Sequence, residues 1–202
     1  MKKIKKAKNY NNQELNFSLI VMVLVCFCFF MLVVATFTQL KIFTISNWSL
    51  KQTGYIPQIP MVMFTAGLLG KRYGTVSIIL YILTGLFLVP VFALGGGLDY
   101  ILNFNFGYIL GFIPAVYFAA RLISENISAL RLFLANLTGI TLIHVIGLTY
   151  MVITLLIEKE NIQTILNWAM AQSFNNLLID VLFGYAAISL GNFIKTVLKK
   201  IA

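Results

Sequence analysis

The chain has 202 residues, of which 60% are hydrophobic and only 10% charged, with a mean hydropathy of +0.91. Soluble domains carry about 25% charged residues, so this composition excludes an ordinary soluble protein and points to an integral membrane one. A formal charge of +9 would suggest nucleic acid in a soluble domain. Here the charge follows membrane topology, as shown below, and no nucleic-acid partner is expected.

Residues 1–15, MKKIKKAKNYNNQEL, are polar and basic and read as a flexible cytoplasmic arm, with one membrane domain over 16–202. Residues 17–40 form the first apolar run. At ~1.5 Å per residue it exceeds a bilayer core of ~30 Å. It is too long for a signal-peptide core and no small-x-small cleavage site follows, so it reads as a retained helix. Cys26 and Cys28 lie inside it and read as small hydrophobes. A polar outer segment follows, with Trp48 and Tyr55 at interface depth. Residues 56–70 form a shorter apolar run in which Pro57 and Pro60 suit a helix start or a kink. Lys71, Arg72 and Gly74 then predict a tight basic turn. Further spans are predicted at 75–94, 107–120, about 131–157 and about 174–194, with an amphipathic, partly interfacial stretch at 162–176.

Basic residues set the orientation. Lys2, Lys3, Lys5, Lys6, Lys8, Lys71, Arg72, Arg121, Arg131, Lys195, Lys199 and Lys200 fall on one side, 12 of the 15 cations. Lys41, Lys51 and Lys159 fall on the other, near Asp99, Glu158 and Glu160. The positive-inside rule then gives an all-α integral membrane protein of about six transmembrane helices with both termini cytoplasmic. The expected location is the cell membrane, multi-pass.

Residues 90–112, PVFALGGGLDYILNFNFGYILGF, join two apolar runs. Three consecutive glycines permit a backbone turn that side chains would block, and the aromatic and amide side chains around them suit a small-molecule site. A plain helix-to-helix connection at the membrane surface is the alternative. Asp180 lies within the last apolar run. A carboxylate at mid-helix costs ~2.5–3.5 kcal/mol on insertion scales, so it marks either a functional site or a structural pair with a neighbouring helix. Asn176, four residues earlier, shares its helix face. His144, the single histidine, reads as hydrogen-bonded structure. Gly184, Gly191, Ala115, Ala119 and Ala120 read as close helix packing. The sequence contains no G-x-S-x-G nucleophile motif, no P-loop and no metal-ligand cluster. No enzyme activity, cofactor or metal is expected, and any ATP energy must come from partner chains.

AGLLGKRYGTVSIILYILTGLFLVPVFALGGG followed by FGYILGF resembles the BioY family, the biotin-specific S components of energy-coupling factor (ECF) transporters. The shared pattern is Gly70, Arg72, Gly74; Ser77, Tyr81, Gly85; Pro90, Val91, Phe92, Ala93, Gly95, Gly96, with Val89 in a Leu position; and Gly107, Tyr108, Gly111, Phe112. It covers about residues 56–121, and Gln58 falls where the family has a Gln before its second helix. Three departures stand out. Asn103 and Asn105 replace a G-P-T segment; Phe183 stands where a Lys follows the family acid, matched here by Asp180; and Ala35 is nearly alone in a first-helix docking patch.

The resemblance implies capture of biotin from outside by a protein that does not hydrolyse ATP. Its partners would be an ECF transmembrane subunit and two ATPases, besides membrane lipid. Asp180 and Asn176 would meet the ureido ring. Phe92, Tyr100, Phe106 and Tyr108 would wall the rings and tail, and Gly95 to Gly97 would let a lid move. The expected substrate-binding set is Gln58, Phe92, Gly96, Tyr100, Asn103, Asn105, Tyr108, Asn176 and Asp180. Lys41, Lys51 or Lys159, or the Asn103 and Asn105 amides, would meet the ligand carboxylate in place of the missing Lys. An S component for another small vitamin is the alternative, and a non-transport membrane protein a more distant one.

Overall fold

The computed structural model describes the backbone of residues 2–46, 49–123 and 128–201, and the side chains of 19–41, 54–123 and 128–201. The chain is a mostly helical membrane protein. Helix α1 runs Lys2–Phe37. No Gly or Pro interrupts its sequence, so the basic arm expected to be flexible continues the helix. Among the described residues, 19–37, 129–157 and 162–201 are helical stretches long and apolar enough to cross a membrane.

Strands β1 (Leu40–Ser46) and β2 (Ser49–Tyr55) follow as an antiparallel hairpin, registered from Leu40 opposite Tyr55 to Ser46 opposite Ser49. The sequence reading took this stretch only as a polar outer segment. Its β-branched residues, Ile42, Thr44 and Ile45, favour strand, but a two-stranded ribbon leaves too short a pattern to separate from loop. Trp48 and the side chain of Lys51 lie outside the described residues.

Helix α2 spans Gln58–Phe87 and is divided at Gly70, whose φ of 72° and ψ of −174° only glycine adopts readily. The expected basic turn is therefore one residue long, and Lys71, Arg72 and Gly74 are already helical. Pro57 caps the helix and Pro60 sits in its first turn, where a missing N–H costs nothing. The first half is buried without a break from Val62 to Leu69, as expected of a helix apolar on all sides. It forms the axis of the fold, and α1, α3 and α6 pack on α2.

Helix α3 (Phe106–Leu122) and helix α4 (Ala129–Ile157) are antiparallel neighbours, with Ser128 capping α4 at the Arg131 N–H. Helix α5 (Ile162–Ala169) passes through a π turn at Met170–Phe174 into α6 (Leu177–Ile201). The predicted third span ends early, at Phe87, because residues 88–97 turn back to form the roof described below.

Glycines set the helix spacing. A Cβ on Gly191 would lie 2.5 Å from the Phe64 carbonyl oxygen, and one on Gly67 would strike the Ile188 carbonyl, so α2 and α6 meet backbone to backbone. Gly111 faces the Ile143 backbone in the same way, at 2.9 Å. Such small-residue contacts are how membrane helices gain close van der Waals packing. Gly191→Leu is expected to lower stability by at least ~1–3 kcal/mol through overpacking. Thermal unfolding in detergent measures this, and a wild-type melting temperature would contradict the close α2–α6 contact.

Candidate functional site

A cavity of about 300 Å³ opens where the end of β2, the start of α2, the roof loop, the start of α3 and the α5–α6 break converge. That volume is at the small end of ligand pockets. The roof is built by glycine. Phe92 and Gly95 exchange backbone hydrogen bonds at 2.9 and 3.0 Å, and the Gly97 N–H donates to the Gly85 carbonyl at 2.8 Å. Gly95 and Gly97 have φ of 122° and 89°. A Cβ on Gly96 would meet the Gly85 carbonyl oxygen at 2.6 Å. The triple glycine is thus a tied-down turn rather than a loose flap, and it brings Ala93 and Leu94 to the cavity wall.

Six of the nine residues expected from the sequence line this cavity: Gln58, Tyr100, Asn105, Tyr108, Asn176 and Asp180. The other three lie outside its lining. Phe92 is fully buried behind the wall, its ring 4.7 Å from Tyr100, 5.5 Å from Tyr81 and 6.4 Å from Phe106. Any side chain on Gly85 would collide with that ring. Gly96 serves the turn. The Asn103 side-chain oxygen, Oδ1, accepts from the Asn105 backbone N–H at 2.9 Å and so shapes the entry to α3. Phe106 likewise packs in the core.

The carboxylate is the most constrained group. Asp180 is 2% exposed and lies in the first turn of α6, where the helix dipole favours negative charge. The break at the π turn puts it there, not deep in a continuous span. Tyr55 donates its phenol to Asp180 Oδ1 at 2.5 Å. Burial and then the Asp180 charge hold the Tyr55 phenol well above its ordinary range, so it remains a protonated donor. His144 Nε2 stands 3.4 Å from Oδ2, near enough for attraction though not aligned as a full hydrogen bond. Asn176 holds the break by donating to the Ala171 carbonyl at 3.3 Å, and its backbone carbonyl accepts from the Asp180 N–H at 2.8 Å.

Gln58 is anchored differently. Its Nε2 donates to Thr36 Oγ1 at 2.8 Å and to the Tyr81 hydroxyl at 3.3 Å. Its carbonyl oxygen is the amide atom left for the cavity. Tyr100 gives the wall an aromatic face, and burial raises its phenol above the ordinary value.

Sequence reasoning missed Tyr55 and Gln172 as lining residues and Ser173 behind them, whereas His144, expected as hydrogen-bonded structure, does bond Ser173. Tyr55 and Asp180 are 125 residues apart in the chain, and no local pattern joins them. Phe183, in the position of the family Lys, packs edge-on against the Tyr55 ring at 5.9 Å. It therefore braces the donor that holds Asp180. Lys41 and Lys159 do not line the cavity, and Asp180 is the only charged residue among the described ones that does. No group of three or more His, Cys, Asp or Glu side chains gathers among the described residues to hold a metal.

Residues 7–200 match the model of the BioY family. The chain belongs to that family. Over 100 residues it is 35% identical to a probable biotin transporter BioY of Lysinibacillus sphaericus, covering 48% of this chain and 51% of the relative. Over 108 residues it is 32% identical to the biotin transporter BioY of Thermotoga maritima, covering 51% of this chain and 63% of the relative. The matched stretches thus span between half and two thirds of these relatives' length. The fold is similar to a crystal structure of the S component for biotin from an ECF-type ABC transporter, with a TM-score of 0.66 and 17% identity over 89% of this chain and 93% of that one.

Tyr55→Phe leaves one oxygen of the buried carboxylate without its donor. The expected cost is ~1–3 kcal/mol, read as a lower melting temperature. Phe183→Ala should shift it the same way by less, because the Tyr55 hydroxyl survives.

Proposed function

We propose that this BioY-family chain is the biotin-binding S component of an ECF-type transporter, capturing biotin from outside for ATP-driven uptake. The carrying observation is a buried carboxylate that faces a small, partly aromatic cavity with its position already fixed by protein donors. A cyclic urea offers two N–H donors and one carbonyl oxygen. Asp180 accepts the donors, and the Asn176 amide supplies a hydrogen to the oxygen. Tyr100, Tyr108 and Phe112 flank the bicyclic ring and alkyl tail. The ligand carboxylate meets the Asn105 and Gln172 amides.

The family names and the likeness of fold support this reading. Counting the halves of α2 separately, α1, α2, α3, α4 and α6 make six crossings of the cell membrane. Lys195 Nζ lies 3.2 Å from where a Cβ on Gly70 would sit, so the kink of α2 and the end of α6 share one face. That face takes the basic groups and is cytoplasmic, with both termini. The cavity opens on the opposite face. An ECF transmembrane subunit and two ATPases provide the energy coupling; the chain itself is not an enzyme.

A second reading, an S component for another small vitamin, draws on one observation. Phe183 replaces the family Lys, and the described cavity lining holds no cation. Competition of labelled biotin by unlabelled vitamins separates the two.

Purified protein is expected to bind labelled biotin, and Asp180→Ala to weaken it at least ~100-fold. Hydrogen bonds to a charged group contribute about 1.5–3 kcal/mol each, and two are lost. Equilibrium binding in detergent checks this. Undiminished affinity in the variant would remove Asp180 from the site.

A further inference from the structure

We propose that His144 is a positioning residue that sets which ligands the cavity accepts, by fixing Asp180 as a group that only accepts hydrogen bonds. The inference rests on the biotin reading above.

His144 is buried in the middle of α4. Its Nδ1 lies 3.0 Å from Ser173 Oγ, and Ser173 Oγ lies 2.8 Å from the Tyr108 hydroxyl. Its Nε2 faces Asp180 Oδ2 at 3.4 Å and makes no hydrogen bond elsewhere among the described residues. A hydroxyl carries one proton and a neutral imidazole one N–H, so Nδ1 either accepts from Ser173 or donates to it, which gives two senses.

In the first sense Tyr108 donates to Ser173, and Ser173 donates to His144 Nδ1. The imidazole proton then sits on Nε2, on the side of Asp180, where it attracts Oδ2 without full hydrogen-bond alignment. In the second sense Nδ1 donates to Ser173, and the Nε2 lone pair faces the carboxylate oxygen. Electrostatic repulsion at 3.4 Å in a buried site disfavours that arrangement. The first sense holds, and the partner of one ring nitrogen sets the tautomer at the other.

The consequence lies at the cavity wall. Tyr55 donates to Oδ1 and the His144 N–H attracts Oδ2 from 3.4 Å, so both oxygens have a protein partner and each keeps a lone pair for a ligand. Tyr108 has given its proton to Ser173, so its oxygen also meets the cavity as an acceptor. This pole therefore selects ring N–H donors. It rejects a ligand that places an oxygen or an alkylated nitrogen there, because the mismatched lone pairs would stay desolvated and unpaired.

The test compares wild type with His144→Leu, His144→Gln and Ser173→Ala. Each is titrated with biotin and with biotin methylated on one ureido nitrogen, and each is checked by thermal unfolding. His144→Leu is expected to weaken biotin about tenfold and the methylated analogue less than about threefold, so that the preference between them collapses. His144→Gln restores most of the preference by placing an amide N–H near the Nε2 position. Ser173→Ala, a smaller excision, reduces the preference in the same direction and decides the matter should His144→Leu fail to fold. Equal losses for the two ligands would mean a merely structural histidine and would overturn the inference, as would an unchanged preference in both His144→Leu and Ser173→Ala. A wild-type chain that binds no biotin would overturn the inference together with the reading beneath it.

Discussion

One buried carboxylate constrains much of this molecule. An ionised group taken out of water is strongly disfavoured unless other groups replace its hydration. Asp180 receives those groups from distant parts of the chain: a phenol at the end of the hairpin, an imidazole on α4 and the N-terminal turn of its own helix. The last residue of β2 must therefore reach α6, and α4 must present His144 toward the α5–α6 break. Irregular backbone at this depth is tolerated where protein buries it or a cavity adjoins it. The π turn before α6 adjoins the cavity through Ala171 and Gln172.

Close helix contact makes that convergence possible. Gly67 and Gly191 bring α2 and α6 to backbone contact, while Gly107, Gly111 and Gly147 accommodate Tyr150, the Ile143 backbone and Tyr108 between α3 and α4. Larger residues at these points would separate the helices and pull Tyr108 away from Ser173. An aromatic layer finishes the site from behind: Phe92 supports Tyr100, and Phe106 closes the stack at 6.3 Å from Tyr100. The rings that look most like ligand contacts in the sequence are thus divided between a wall and its backing.

Much of the helical frame was legible because apolar length and glycine or proline punctuation are local signals. The predicted spans 107–120 and 131–157 differ from α3 and α4 by one or two residues at their ends. The hairpin was not legible, since two short strands that pair only with each other leave little periodicity. Among the candidate residues, Asn176 and Asp180 could be paired from helical spacing alone. That Phe92 and Asn103 lie outside the cavity lining could not be read from the sequence, because the direction of a side chain in a loop depends on the turn that holds it. Phe183 was visible only as a missing lysine, whereas in the fold it is a brace for Tyr55.

Composition and the order of apolar runs determined that this chain enters a membrane as helices, since hydrocarbon accepts only backbone whose hydrogen bonds are satisfied within it. They also determined that an acid near the last run needed partners. Which partners it found was decided by tertiary structure alone. Tyr55 and His144 reach Asp180 across 125 and 36 residues of sequence, and such contacts arise from helix packing and loop closure, which no short window of residues encodes.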